Sequence, residues 1–215
     1  MIIAIDGPAG AGKGTIAKGI ARHYNLAHLE TGLLYRALAF KVFENKLNLD
    51  DRDQIAALAS TISLDDLKNK HLRSEEIGNL ASKVASLSEV RQALLDFQRN
   101  FADTPLSDFN GAILDGRDIG TLVCPQADIK FYITAELEVR AQRRLKELQD
   151  RGIKSIYTAV IQNMMDRDLR DESRQQAPLK IANDAYVIDT SNLSPDDALK
   201  QAITVIEQHL KTQIR

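Results

Sequence analysis

The sequence predicts an α/β fold whose centre is a doubly wound, parallel five-stranded sheet. Three observations carry that expectation. The runs Ile2–Asp6, Ala112–Asp115 and Ile129–Thr134 are apolar without alternation, the mark of strands buried on both faces. Segments of helical period separate them, as parallel crossovers require. The first run also breaks directly into a glycine-rich stretch and then a helical pattern.

Taken in order, Ile2–Asp6 is the first strand and Lys13–Tyr24 the first helix, with Ile16 and Ile20 inward. Ala27–Leu29 makes a short second strand. Thr31 is placed to cap a helix to about Asn45, in which Leu34, Ala37, Leu38 and Val42 recur at helical spacing. Asp50–Ile62 is a further helix, and the charged, aperiodic Ser63–Arg73 reads as a loop or turn. Ser74 opens a helix to about Leu87, and Ser88 another to about Phe101, with Val90, Leu94, Phe97 and Phe101 on one face. After the strands at Ala112–Asp115 and Ile129–Thr134 come helices at Glu136–Gln149 and Ser155–Asp171. Tyr186–Asp189 is the fifth strand. Ser194-Pro195-Asp196-Asp197 starts the closing helix with a capped, acidic first turn.

At 215 residues, with 44% hydrophobic and 27% charged residues, the chain suits one soluble α/β domain. A net charge of −2 argues against a nucleic-acid polymer as partner, so basic residues matter by position. The lone Cys124 reads as a small core residue and fits a reducing compartment. No secretory signal is visible at the first residues, and no apolar run approaches the ~20 residues that span a bilayer. The expectation is a cytoplasmic protein with no membrane partner.

Gly7-Pro8-Ala9-Gly10-Ala11-Gly12-Lys13-Gly14-Thr15 is built to cradle a triphosphate. Glycines permit backbone conformations closed to other residues, so that N–H groups and a helix N-terminus converge on phosphate oxygens. Lys13 adds a full charge near the β- and γ-phosphates, and the hydroxyl of Thr15 suits a Mg²⁺ ion. Strands in a doubly wound sheet present ligands at their carboxyl ends. That rule gathers this loop, Glu30–Arg36 and Asp115–Asp118 at one edge.

Arginines are the other signal. Arg140, Arg143 and Arg144 lie at i, i+3 and i+4, on one side of a helix, where a solvated charged face is an equally good account. Arg167, Asp171 and Arg174 form a second stripe if the helix runs that far; by spacing alone a surface Arg–Asp pair is the simpler account. Asp115 and Asp118 flank Gly116 and Arg117 at a strand end, placed to hold the waters of a Mg²⁺ ion or accept a hydrogen bond from substrate.

The loop with its Gly-Lys-Gly-Thr ending resembles that of nucleoside monophosphate kinases, and the whole chain resembles the bacterial-type cytidylate kinases. The carrying segments are the glycine loop, Glu30-Thr31-Gly32-Leu33-Leu34-Tyr35-Arg36, Ser82 with Val90-Arg91, Asp115-Gly116-Arg117-Asp118-Ile119-Gly120-Thr121, and Arg167-Asp168 through Asp171 and Arg174 to Ala177-Pro178-Leu179. The resemblance implies a single P-loop kinase domain over 1–215, with an acceptor-binding region at 30–110 and a lid at 140–174. It implies transfer of the γ-phosphoryl group of ATP to CMP or dCMP with Mg²⁺, by a monomer. Gly7 to Thr15 would hold ATP, with Thr15 and Asp115 holding the metal, the latter through water. Arg36, Arg117 and Arg174 would grip the acceptor phosphate. Ser82, Arg91 and Asp118 would read the base, and Thr31, Asp115, Arg167 and Asp171 would line the substrate. Lys13, Arg117 and the lid residues Arg143 and Arg144 would stabilise the transferred group.

The residue types agree with cytosine. Its N4 amino group can donate to a carboxylate such as Asp118, and Arg91 can donate to its acceptors, whereas uracil would turn a carbonyl to the carboxylate. The chain departs from the family at Glu30-Thr31-Gly32, where Asp-Ser-Gly is usual, and at Leu33, where a small residue is usual. Only Ser63–Arg73 occupies the place of a β-rich insert, so the acceptor region is shortened there. Rival readings are a kinase of UMP, AMP or another small metabolite, and a non-catalytic nucleotide-binding switch.

Overall fold

The computed structural model describes residues 1–104 and 108–213. Its sheet has five strands, β1 (Ile2–Asp6), β2 (Ala27–Glu30), β3 (Ala112–Asp115), β4 (Ile129–Thr134) and β5 (Tyr186–Asp189), in the order β2-β3-β1-β4-β5 and all parallel. Helices α1 (Lys13–Tyr24) and α8 (Pro195–Gln213) cover one face. On the other lie α2 (Thr31–Glu44), α3 (Arg52–Ala59), α4 (Glu75–Val84) and α5 (Ser88–Asp103). The period of two along each strand explains this double covering. Ile3 and Ile5 of β1, with Ile113 of β3 and Phe131 of β4, join α1 and α8 in one core. Ala4, Ala112 and Leu114 face the other core, with Leu34, Leu38 and Leu94. Helices α6 (Leu137–Asp150) and α7 (Tyr157–Glu172) pack on each other through the small cluster of Ala141, Leu148, Val160 and Met164, against which Ala9 of the glycine loop rests.

The register sets the working edge. Ile5 lies beside Asp115, Glu30 beside Asp115 and Thr134 beside Asp189, while Asp6 lies beside Tyr132, so the carboxyl ends of the five parallel strands lie along one edge with β4 and β5 running about two residues further. Ser74 caps α4 by accepting from Ile77 N at 3.3 Å, and Ser194 caps α8 by accepting from Asp197 N at 3.1 Å.

Within Ser63–Arg73, read as a loop or turn, short 3₁₀ turns form at Asp66–Lys68 and Lys70–Arg73, tied to the core by buried Leu72. Two expectations need correction. Thr31 does not cap α2. It is the first helical residue, and its hydroxyl donates to the Asp115 carbonyl at 2.9 Å, a pairing that only the sheet creates. Helix α7 ends at Glu172, so Arg174 is not part of a helical stripe and reaches Asp171 from the segment beyond. Residues Ile119–Val123 form a π turn, an irregularity without a periodic sequence signal.

Candidate active site

Gly7 leaves β1 with φ 145°, and a Cβ there would collide with the Ile133 carbonyl oxygen. Gly12 has φ 91° and ends the loop, its carbonyl accepting from Thr15 N and Ile16 N at 3.1 Å as α1 begins. The free amides of the first turn of α1 therefore point outward with the positive end of the helix dipole. Lys13 is buried, and its ammonium donates to the Pro8 carbonyl at 2.7 Å. Burial, then the Arg117 charge, lowers its pKa well below the ordinary lysine value.

Beyond β3 the chain delivers Asp115, Arg117 and Asp118 to the same edge. Arg117 Nε donates to Asp171 at 2.7 Å, and Arg174 pairs with the other oxygen of that carboxylate. Asp171 is only 1% exposed. Burial pushes its carboxyl up, but the Arg117, Arg174 and Arg167 charges outweigh burial and hold it below the usual range. Arg91 and Asp118 form a second buried pair, with the guanidinium 5.6 Å from the Tyr35 ring centroid. Arg36 donates to the carbonyls of Leu72 at 2.6 Å and Ser74 at 3.2 Å.

These groups line two hollows with a common wall. One, of about 490 Å³, is bounded by Gly10, Gly12 to Thr15, Asp115, Arg143 and Arg144. The other is a narrower cleft bounded by Thr31, Tyr35, Ser82, Arg91, Asp118, Asp171 and Arg174. Arg36, Arg117 and Arg167 belong to both. Burial, with the repulsion of neighbouring arginines, lowers Arg36 to about 10 and Arg167 to about 9. Both stay cationic at neutral pH, in a wall where positive charge exceeds what the protein itself neutralises. Four residues of the cleft also carry a buried atom without a hydrogen-bond partner among the described residues: Ser82 Oγ, Arg91 Nε, Arg167 Nε and Arg174 Nε. Such orphaned groups are costly unless a ligand completes them. A third hollow, of about 180 Å³, lies beside Gly12 and Thr15 and is walled by Ile16, Arg143, Leu193, Pro195 and Ala198.

Of the three arginines on α6, two reach the larger hollow and one does not. Arg143 donates to Thr190 Oγ1 at 2.9 Å, and Arg144 lies between Glu75 and Glu147. Arg140 instead is buried beneath the glycine loop, donating to Ala9 O at 3.2 Å and Asp168 at 2.6 Å. The one helix face that spacing gives the three is thus divided between two places, because Arg140 turns toward α7. Arg91 and Asp118 stand side by side as partners along the cleft. Spacing alone also hid His28, whose Nε2 lies 2.7 Å from Asp115 Oδ2, and Arg73, which holds Glu30 at 2.8 Å. His28 lies two residues before Glu30 on β2, and the pairing of β2 with β3 is what sets it beside Asp115.

The larger hollow is lined by the Thr15 hydroxyl and by four carboxylates, of which Glu30 is paired with Arg73 and Glu75 and Glu147 with Arg144, leaving Thr15 and Asp115 as the oxygen donors not held by an arginine. No group of three His, Cys, Asp or Glu residues able to hold a metal exists among the described residues. That set fits Mg²⁺, which keeps most of its waters and leans on substrate phosphates.

A family model described as cytidylate kinase matches residues 3–208. Proteins named cytidylate kinase from Methylocella silvestris and Paramagnetospirillum magneticum are 50% and 51% identical, over 96% and 95% of this chain and 94% and 97% of theirs. The cytidylate kinase of Bartonella henselae is 45% identical over 100% of this chain and 98% of its own. The crystal structure of an uncharacterized protein from Eubacterium ventriosum superimposes with a TM-score of 0.56 at 16% identity, covering 96% of this chain and 98% of that one, a likeness of fold.

Proposed function

This chain belongs to the cytidylate kinase family, and we propose that its two joined hollows seat ATP and a cytidine monophosphate with their phosphates meeting at the arginine wall. It is an ATP-dependent phosphotransferase that acts on cytidylate. The observation that carries the residue assignment is the shared wall: Arg36, Arg117 and Arg167 border both hollows, so a phosphate from either side meets the same cations.

In this reading the amides of Gly10 to Thr15 and the Lys13 ammonium bind the donor β- and γ-phosphates. The 180 Å³ hollow beside Thr15 takes the donor base against Leu193 and Pro195. Arg36, Arg117 and Arg174 hold the acceptor phosphate. Asp118 accepts from N4 of cytosine while Arg91, with Ser82, donates along the same edge; Thr31, Arg167 and Asp171 face the sugar and phosphate. An oxygen of the acceptor phosphate attacks the γ-phosphorus in line, and ADP leaves. No general base is needed, because that oxygen is ionised near neutral pH. Arg117, Arg143 and Arg144 neutralise the charge spread over the moving group. Mg²⁺, held by Thr15 and through water by Asp115, would supply further neutralisation of the donor phosphates when bound.

Residues 30–110 would form the acceptor-binding region, of which 105–107 lie outside the described residues, and 63–73 would be its shortened part. Residues 140–174 would form the lid, excluding water when closed. The protein would work as a monomer in the cytoplasm. Among the described residues no helix is long and apolar enough to cross a membrane. Steady-state rates with CMP, dCMP, UMP and AMP test the reading. CMP and dCMP should give the highest kcat/KM, and a better acceptor of another kind would overturn it.

A further inference from the structure

Asp6 ends β1, one residue before the glycine loop, and is 4% exposed. Both its carboxylate oxygens are engaged: Ile119 N donates to Oδ1 at 2.8 Å and Gly120 N to Oδ2 at 2.7 Å. These amides open the π turn at Ile119–Val123. Three residues earlier, Gly116 N donates to the carbonyl of Ile5 at 2.8 Å. The segment from Gly116 to Gly120 is thus pinned to β1 at both of its ends. The two residues strung between the pins are Arg117 and Asp118. Asp118 has φ −142° and ψ 24°, outside the regular helix and strand basins, so its own backbone preference does not hold it there.

Asp6 lines none of the three hollows, yet the chain places an acid there at a cost. Burial, reinforced by the neighbouring Asp118 charge, pushes its carboxyl up to about 6, against the two amides and Lys13, which lower it. A neutral residue would fill the same space more cheaply unless the charge itself is needed to hold two successive amides.

We propose that Asp6 is a positioning residue for acceptor recognition, fixing Arg117 and Asp118 against the mouth of the glycine loop through the amides of Ile119 and Gly120. The inference rests on the assignment of Asp118 to the base and Arg117 to the phosphate. Its consequence is a coupling: the strand that carries the donor loop also sets the geometry with which the acceptor is read. An Asn at this position presents one acceptor and one donor to two N–H groups, so one pin must open and the Arg117–Asp118 span relaxes.

The test compares Asp6→Asn and Asp6→Ser with the parent protein, by melting temperature, by KM for ATP and by the ratio of kcat/KM for CMP to that for UMP. The ratio does not depend on how much of a preparation is folded. Loss of one charge-assisted hydrogen bond should raise KM for CMP by about tenfold and lower the CMP-to-UMP ratio by about as much, with KM for ATP within about twofold. An unchanged ratio overturns the proposal, even if the melting temperature falls. So does failure of both variants to fold, or loss of all turnover in variants that melt like the parent, since either makes Asp6 a residue of the fold or of the chemistry. If the parent itself favours an acceptor other than CMP, the functional reading fails instead, and the ratio is then taken for that acceptor against CMP.

Discussion

The glycine loop and the arginine cleft occupy the same sheet edge but are held in different ways. Gly7 to Thr15 is one contiguous stretch whose shape is fixed by main-chain angles and by the start of α1. The cleft draws Arg36 from α2, Ser82 from α4, Arg91 from α5, Asp118 from the turn after β3, Asp171 from α7 and Arg174 from beyond it. The loop presents amides that cannot be misplaced without breaking a strand–helix junction. The cleft presents side chains whose positions depend on buried ion pairs. In the proposed reading, local covalent order would carry the part that grips a phosphate common to many substrates, and tertiary charge pairing the part that discriminates.

The comparison breaks most directly at Lys13. Substitution by Ala removes a charge from the loop but no structural partner except the Pro8 carbonyl. Turnover should fall by about 10² to 10³, the usual order for loss of one transition-state contact, with the circular dichroism spectrum unchanged. Turnover within a few-fold of the parent would sever the loop from the chemistry.

Asp171→Asn attacks the other architecture. It leaves Arg117 and Arg174 without the carboxylate they share, so stability should drop by about 3 kcal/mol, read by denaturant unfolding. The sign with pH follows from the lowered value of Asp171. Its stabilisation is complete above about pH 4, the ordinary carboxylate range, and is lost as pH falls through the folded value. Melting curves of parent and variant should accordingly converge in acid. A gap that stays constant down to pH 3 would mean that the arginines do not depend on this charge.

Gly78 sharpens the contrast at smaller scale. A Cβ there would lie 2.8 Å from Arg36 Nη2 and 3.0 Å from Nη1, so the helix leaves this place open for the guanidinium. Gly78→Ala should fold, gaining helix propensity, but displace Arg36 and raise KM for CMP by about tenfold while KM for ATP holds. Equal changes in both constants would mean the two hollows are not separable at Arg36. The smallest effect belongs to Glu75→Gln, which loses a half-exposed pair with Arg144 at 3.2 Å; stability should shift by under about 1 kcal/mol. A larger thermal shift would show that the α4–α6 contact is structural.

Much of the fold was readable in one dimension. Unbroken apolar runs marked β1, β3 and β4, and the glycine pattern fixed the junction between β1 and α1, because strand burial and left-handed turns each leave a local chemical trace. Much of the site was readable only as a set of residue types. The spacing of Arg140, Arg143 and Arg144 gave them one face, yet Arg140 is a buried strut under Ala9. Nothing local distinguishes a guanidinium that neighbours will bury from one that faces a cavity. His28 beside Asp115 and Asp6 beside Ile119 are 87 and 113 residues apart in sequence, and no spacing rule reaches that far.

By itself the sequence determined the order of strands and helices, the phosphate-binding loop and the supply of cations, since these follow from periodicity, backbone freedom and charge. Only the tertiary structure decided which cations remain unneutralised at the wall, which carboxylates are spent holding arginines, and that β1 pins both ends of the Gly116–Gly120 segment. The reason is physical: burial and ion pairing depend on which distant segments the sheet brings within about 3 Å of each other, a relation written across the whole chain and in no single part of it.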